Sequence, residues 1–384
     1  MGIRIFLNLL FLVSLINGLL INTSALCYAQ DIPVLKVKPD RSEQVEIDKL
    51  ISEVSYTVLD LPDQEFLREV QKVIMNDSGI YLYDVSNNGE RPKIFSFEPD
   101  GRFRFVLDKP GRGPGEFERI YDFDVLNDFI VLSTQTEIKF YDTLSGEYSH
   151  AFDKPRTEFI QTFGLINKSL LVYNGGRTRN NTDKHLIKVY DLEKSDNMYQ
   201  GLPFEDHALK GGHSYRYIFN YQDTISLRPD YTRTVYRLIE SGADLDLVPA
   251  YSFDFDGYWV DEDLLLNSYD NRGRFFSEIN DYIHTFDVFE TAGIIYVTYR
   301  LDGEDYTYIY DKRSEFSINI SAFETSRGGW LNTPETTFEN RIINVVRDFE
   351  FAELDINWSE RLTEILSGKE ENDPILIKAD FRVQ

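Results

Sequence analysis

Two kinds of short apolar run alternate along the chain from residue 79 onward, and their spacing restricts what the sequence can fold into. The first kind starts just after a turn residue: Gly79 then 80–83, Asp128 then 129–132, Ser169 then 170–173, Thr224 then 225–227, Gly293 then 294–297. The second follows each of these and usually ends in an aromatic–acid pair and a turn, at Phe97-Glu98, Tyr141-Asp142, Tyr190-Asp191 and Tyr310-Asp311, with Tyr236 lacking the acid. The runs alternate with period 2 and are rich in Ile, Val, Phe and Tyr, which is the pattern of half-buried strands. Phe97 to Tyr141 is 44 residues, the next two steps are 49 and 46, and the step from Tyr236 to Tyr310 is 74, one unit plus an insertion around 255–281. A unit of roughly 40–50 residues carrying about four strands is that of a propeller blade, because one such sheet cannot bury both faces alone. Residues 375–378 supply a sixth copy of the second run. The fold class predicted is all-β: a six-bladed β-propeller with four-stranded antiparallel blades.

An open ring would expose two sheet edges. Residues 54–59, with Val54, Tyr56 and Val58 alternating, lack a partner in the first unit and are expected to join residues 375–381, so that N- and C-terminal strands share the last blade. Residues 358–366 read as a short amphipathic helix, with Leu362, Ile365 and Leu366 on one side. A plain sandwich is the alternative, and it would not need a regular four-strand unit.

Residues 1–30 hold one charge, Arg4, then an apolar run and small or polar residues up to Ala29, the pattern of a secretory signal peptide. Asn8, Ser14, Asn17 and Gly18 interrupt the run, which falls short of the roughly 20 apolar residues of a spanning helix. Cleavage after Ala29 leaves a cysteine-free chain. The alternative makes Cys27 the acylated residue of a lipoprotein, although Leu26 stands where Gly or Ala is expected. The domains expected are a signal peptide at 1–30, an N-terminal extension at 31–53 and the propeller at 54–384. Such a chain is expected in the periplasm or at the cell surface, with no integral membrane segment after processing. A net charge of −25 from 40 basic and 65 acidic residues repels phosphate backbones, so nucleic acid is not an expected partner.

The stretch Gly111-Arg112-Gly113-Pro114-Gly115-Glu116-Phe117, followed by Tyr121-Asp122-Phe123-Asp124-Val125, resembles the glycine-rich linker of NHL-like six-bladed β-propellers exported by Gram-negative bacteria. Asn372-Asp373-Pro374-Ile375 looks like the closing strand of that family, and the resemblance spans about residues 45–384. It implies the fold and says little about activity, since members mostly lack an assigned function. The acidic insertion in the fifth unit and Arg327-Gly328-Gly329-Trp330 depart from the pattern.

Gly111, Gly113 and Gly115 mimic a phosphate loop, but Pro114 interrupts them and no helix follows, so an interblade turn is the better reading, with Arg112 and Glu116 able to face the axial channel. Ser252 to Trp259 comes near the Asp-box of sialidase-like propellers, with Asp256 and Tyr258 at the Gly and Thr positions. Asp254, Asp256, Asp261, Glu262 and Asp263 do not fit a helix-flanked calcium loop and read as a solvated acidic loop. The histidines lack zinc spacing, and no hydrolase nucleophile or Walker motif occurs, so no metal or cofactor is expected. The candidate ligand-binding residues are Arg112, Glu116, Arg177, Arg179, His213, Arg216 and Tyr217, polar and aromatic groups between strands where propellers bind ligands. The expected function is noncatalytic binding of a glycan, peptide or envelope protein through loops at one mouth of the ring. The alternatives are a carbohydrate hydrolase or lyase with channel-mouth carboxylates, and a structural subunit of an envelope complex.

Overall fold

The computed structural model of the chain describes residues 32–46, 49–86, 91–154, 160, 162–166, 169–173, 185–192, 197–203, 216–222, 224–229, 232–241, 244–261, 264, 277–323, 334–347 and 373–382. The signal peptide expected at 1–30, with Cys27, the helix expected at 358–366 and the 327–330 departure lie outside the described residues.

Three strands come first: β1 (Val34–Lys36), β2 (Glu43–Val45) and β3 (Ile51–Val58). The rest follow in sets. The first sheet holds β4 (Val70–Asn76), β5 (Gly79–Ser86), β6 (Arg91–Phe97) and β7 (Phe103–Leu107); the second holds β8 (Asp122–Leu126), β9 (Phe129–Ser133), β10 (Glu137–Asp142) and β11 (Tyr148–Asp153). The third holds β12 (Thr162–Ile166), β13 (Ser169–Tyr173), β14 (His185–Asp191) and β15 (Asn197–Pro203); the fourth β16 (Ile218–Tyr221), β17 (Thr224–Leu227), β18 (Thr234–Ser241) and β19 (Asp244–Asp254). The fifth holds β20 (Phe286–Glu290), β21 (Ile294–Leu301), β22 (Glu304–Asp311) and β23 (Ser317–Phe323); the sixth β24 (Thr336–Phe338), β25 (Arg341–Val346) and β26 (Ile375–Phe381). Within each set, consecutive strands pair antiparallel, so each sheet is a meander.

The first apolar run of every repeat is the second strand of a sheet and the aromatic–acid run is the third. In the second sheet Tyr141 is fully buried while the Asp142 carboxylate, one residue on, accepts the Leu144 and Ser145 amides at 3.0 and 2.7 Å. Asp311 does the same for Arg313 and Ser314, both at 2.8 Å. At Tyr141-Asp142 the pair is thus a core ring followed by an aspartate-capped turn, and Asp311 caps the same kind of turn after a partly buried Tyr310.

Six apolar cores lie between the sheets and close a cycle. Tyr83 and Ile94 of the first sheet meet Phe123 and Ile130 of the second. Phe140 meets Phe163 of the third, and Val189 meets Leu238 of the fourth. Phe253 then packs on Val288 of the fifth, Tyr296 on Ile377 of the sixth, and Leu376 returns to Phe95 of the first. Each core buries one face of two sheets, which is why no sheet is stable by itself. The chain is therefore an all-β propeller.

The closing pair is present: β3 runs antiparallel to β26, from Ile375↔Val58 to Ala379↔Val54. Two sheets differ from the expected four-stranded antiparallel form. β1 adds parallel to β19, and β2 adds parallel to β23, giving the fourth and fifth sheets a fifth strand each. Leu35, Val37 and Val45 are buried there, so the segment expected as an extension is laid along two outer sheet edges that would otherwise be bare. In the insertion after β19, Asp256 and Gly257 turn the chain with positive φ, and Trp259 pairs with Ile283. The near Asp-box is thus a turn, closed by the Asp254 carboxylate on the Asp256 amide at 3.2 Å.

Candidate functional site

Antiparallel meanders send alternate connections to opposite ends of the ring. The connections after the first and third strands are short, such as 77–78, 98–102, 127–128, 143–147, 291–293 and 312–316. Those after the second and fourth strands include the long ones, 108–121, 174–184, 204–217, 255–285, 324–335 and 347–374. One end is therefore built from tight turns and the other carries the long connections, and of the candidate residues Arg112, Glu116, Arg216 and Tyr217 belong to that long-loop end. Arg177, Arg179 and His213 lie outside the described residues.

The first strand of every sheet faces the axis, and β4, β8, β12, β16, β20 and β24 together line one channel. Its charged groups are linked. From the first sheet, the Lys72 ammonium donates to Asp122 Oδ1 and to the Phe123 carbonyl, both at 2.8 Å. Asp122 Oδ2 accepts the Phe163 amide at 2.9 Å, and Asp124 Oδ2 accepts the Leu165 amide at 2.9 Å, so both acids tie the second sheet to the third. Burial drives the Asp122 carboxyl up from its ordinary value and that of Asp124 to about 6, with Lys72 and the amide donors opposing. Arg216 arises on the opposite side of the ring and reaches Asp287 of the fifth sheet at 3.1 Å and Glu335 of the sixth at 3.2 Å. Deeper, near the short-turn end, Glu290 takes Arg237 at 2.6 Å, Lys312 at 2.7 Å and the Tyr251 hydroxyl at 2.8 Å. The free space left is about 120 Å³, enough for a few waters and far below the roughly 300–1,000 Å³ of a small-molecule site.

Arg216 is thus a channel residue whose guanidinium is held by two carboxylates. Tyr217 is buried in the core between the third and fourth sheets, with Arg228 5.3 Å above its ring. Neither offers a free side chain at the rim.

Arg112 and Glu116 do not face the channel. They border a separate open recess of about 980 Å³, between the glycine-rich connection 108–121 and the turn between β9 and β10. Glu116 is turned inward on its own loop, accepting the Gly113 amide at 2.8 Å. A Cβ at Gly111 would lie 2.1 Å from that carboxylate, and one at Gly115, whose φ is +75°, would lie 2.8 Å from the Tyr148 side chain. The glycines serve close packing, as an interblade turn requires. Phe117 anchors the loop in the core, and the Tyr141 hydroxyl donates to the Gly115 carbonyl at 3.1 Å. Arg112, exposed, pairs with Glu118 at 2.8 Å.

The recess is also lined by Arg119, Tyr121 and Gln135, which were not among the residues expected from sequence. No motif marks them, because the recess forms only when two connections of one sheet are brought together. Lys72, Asp287 and Glu335 were likewise missed. Asp122 and Asp124 carry a readable signal: two acids at i and i+2 of one strand fall on the same face. Among the described residues no cluster of three or more His, Cys, Asp or Glu is placed to hold a metal ion, and no helix is long and apolar enough to cross a membrane.

A family model described as a domain of unknown function, DUF4934, matches residues 30–380. No curated protein matches the sequence. Among solved structures, a proposed exported protein of Bacteroides fragilis is similar with a TM-score of 0.71 and 19% identity, covering 91% of this chain and all of that one. The WD40 domain of Neurospora crassa Pan2 gives a TM-score of 0.40 at 10% identity over 79% of this chain and 81% of that one. The WD40 domain of Toxoplasma gondii coronin gives 0.38 at 11% identity over 89% and 90%. The first of these likenesses supports the propeller fold, and the other two carry no argument.

Proposed function

We propose, for a chain that belongs to the DUF4934 family of domains of unknown function, the role of an exported, noncatalytic binding protein. Its six sheets each count as one blade of an NHL-like ring, and a glycan, peptide or protein partner is held at the long-loop end. The observation that carries this reading is the contrast between two spaces. The channel is narrow and its described carboxylates are engaged by cations, hydroxyls or amides, which leaves no carboxylate pair with room for a sugar between them. The recess at the long-loop end is open, bordered mostly by charged and polar residues and of ligand size. Export is supported by the character of residues 1–30 and by the likeness to the Bacteroides protein.

The Asp124 carboxyl near 6 is the one feature that favours a hydrolase or lyase, because a general acid titrates there. Both of its oxygens accept backbone amides, from Val125 and Leu165, which suits a structural clasp better.

Glycan and peptide arrays probed with the exported protein test the reading. Arg112→Glu with Arg119→Glu should abolish whatever binding the arrays find, while Asp77→Lys with Glu315→Lys at the opposite end leaves it intact. Binding that follows the second pair, or turnover of a bound saccharide that Asp124→Asn abolishes, would overturn it.

A further inference from the structure

The recess beside the glycine-rich loop has walls that are braced before any ligand arrives. On one side the loop is held by Glu116 N–H to the Gly113 carbonyl at 3.0 Å, Phe117 N–H to the Lys109 carbonyl at 2.8 Å and the packing of Gly115 on Tyr148. On the other, the β9–β10 turn is pinned by buried Lys154, which donates to Ser133 Oγ at 2.7 Å and to the Thr134 carbonyl and stands 5.5 Å from the Tyr121 ring. Preorganised walls lower the ordering cost of binding.

Two ion pairs cancel four of the six charges of the recess, leaving Glu116 and Arg119. Glu118 takes Arg112, Glu137 takes Lys139 at 2.9 Å, and Glu116 is engaged by the Gly113 amide. Arg119 is exposed and has no ionic or hydrogen-bonding partner among the described residues. One guanidinium is therefore left for a ligand, and its planar fork matches a single carboxylate. Beside it stand the Gln135 amide and the Thr136 hydroxyl, both on exposed residues, and the Tyr121 ring, groups that suit sugar hydroxyls and a sugar face. Phe117, the one Phe of the lining, is only 3% exposed and supplies no anchor for a peptide side chain. A second recess of about 430 Å³ shares Gly111, Phe117 and Glu118 with the first, which extends the groove beyond one sugar unit. The net charge of −25 works against a polyanion.

From this we infer that the recess is a subsite for a short oligosaccharide bearing one carboxylated sugar, with Arg119 as the carboxylate's partner. The inference rests on the proposed binding role and names its ligand class.

Calorimetry on the exported protein tests it, with three probes: a trisaccharide of one glucuronic acid and two neutral hexoses, its methyl ester, and heparin. The acid should bind about tenfold or more tightly than the ester. Arg119→Ala should remove that difference with the circular dichroism spectrum unchanged, and Arg119→Lys should restore part of it. Equal binding of acid and ester, an unaffected Arg119→Ala, or heparin binding tightest would each overturn the inference. So would silence toward the trisaccharide while an array partner still binds the long-loop end, a result that leaves the proposed function standing.

Discussion

Asp124 uses both carboxylate oxygens on backbone amides, one on its own strand and one on the neighbouring sheet, and stays buried while doing so. Its carboxyl is raised to about 6 from an unfolded value near 4. The folded state therefore holds its proton over a pH range where the unfolded chain has lost it. Asp124's contribution is full below about pH 4 and is lost as pH rises through 6, by roughly 3 kcal/mol in all. The stability difference between the parent and Asp124→Asn, followed by urea denaturation from pH 4 to 7, should move against the parent as pH rises; a flat difference would show that Asp124 does not titrate in this window. Arg216→Ala should cost about 1–3 kcal/mol, since it removes the cation shared by the partly buried Asp287 and Glu335 carboxylates. Chemical denaturation measures this, with Arg216→Lys expected to recover part. Arg216 was legible as polar and adjacent to a loop, but its partners stand 71 and 119 residues away and no local pattern connects them. Tyr217 misled for a related reason: the residues just before it, His213 to Arg216, are polar or aromatic, while its burial comes from the third sheet.

Strands and turns were the most legible elements, because each carries its own evidence. Period 2, the aromatic–acid ending and the turn aspartate are all local, and Val54, Tyr56 and Val58 on the β3 side of the closure alternate. β1 and β2 were not legible as strands, since three residues added parallel to an outer edge show no alternation of their own. Removing residues 375–384 deletes a strand that lies between β25 and β3 and buries Ile375, Leu376 and Ile377 completely. Its loss exceeds the usual stability margin of a domain, so expression should give no cooperatively melting protein. Removing residues 32–46 should instead cost roughly 5 kcal/mol, from the burial of Leu35, Val37 and Val45, and leave a ring with a lower melting temperature but an unchanged far-ultraviolet spectrum. Gly115→Ala sets a Cβ against Tyr148 at positive φ, and should cost about 1–3 kcal/mol in urea denaturation.

At the scale of the molecule, the alternation of short and long connections gives the ring two unlike ends. The apolar cores make it rigid between them, and the linked charges fill its axis. Under the proposed function, recognition falls on the long-loop end, where the glycine-rich loop and its recess are held in place by the second sheet. Hydrogen–deuterium exchange of the protein, with and without the tightest array ligand, tests this claim most directly. The account predicts slowed exchange in residues 108–121 and 134–137, with the turns at 98–102, 143–147 and 312–316 unchanged. Protection confined to those turns would contradict it.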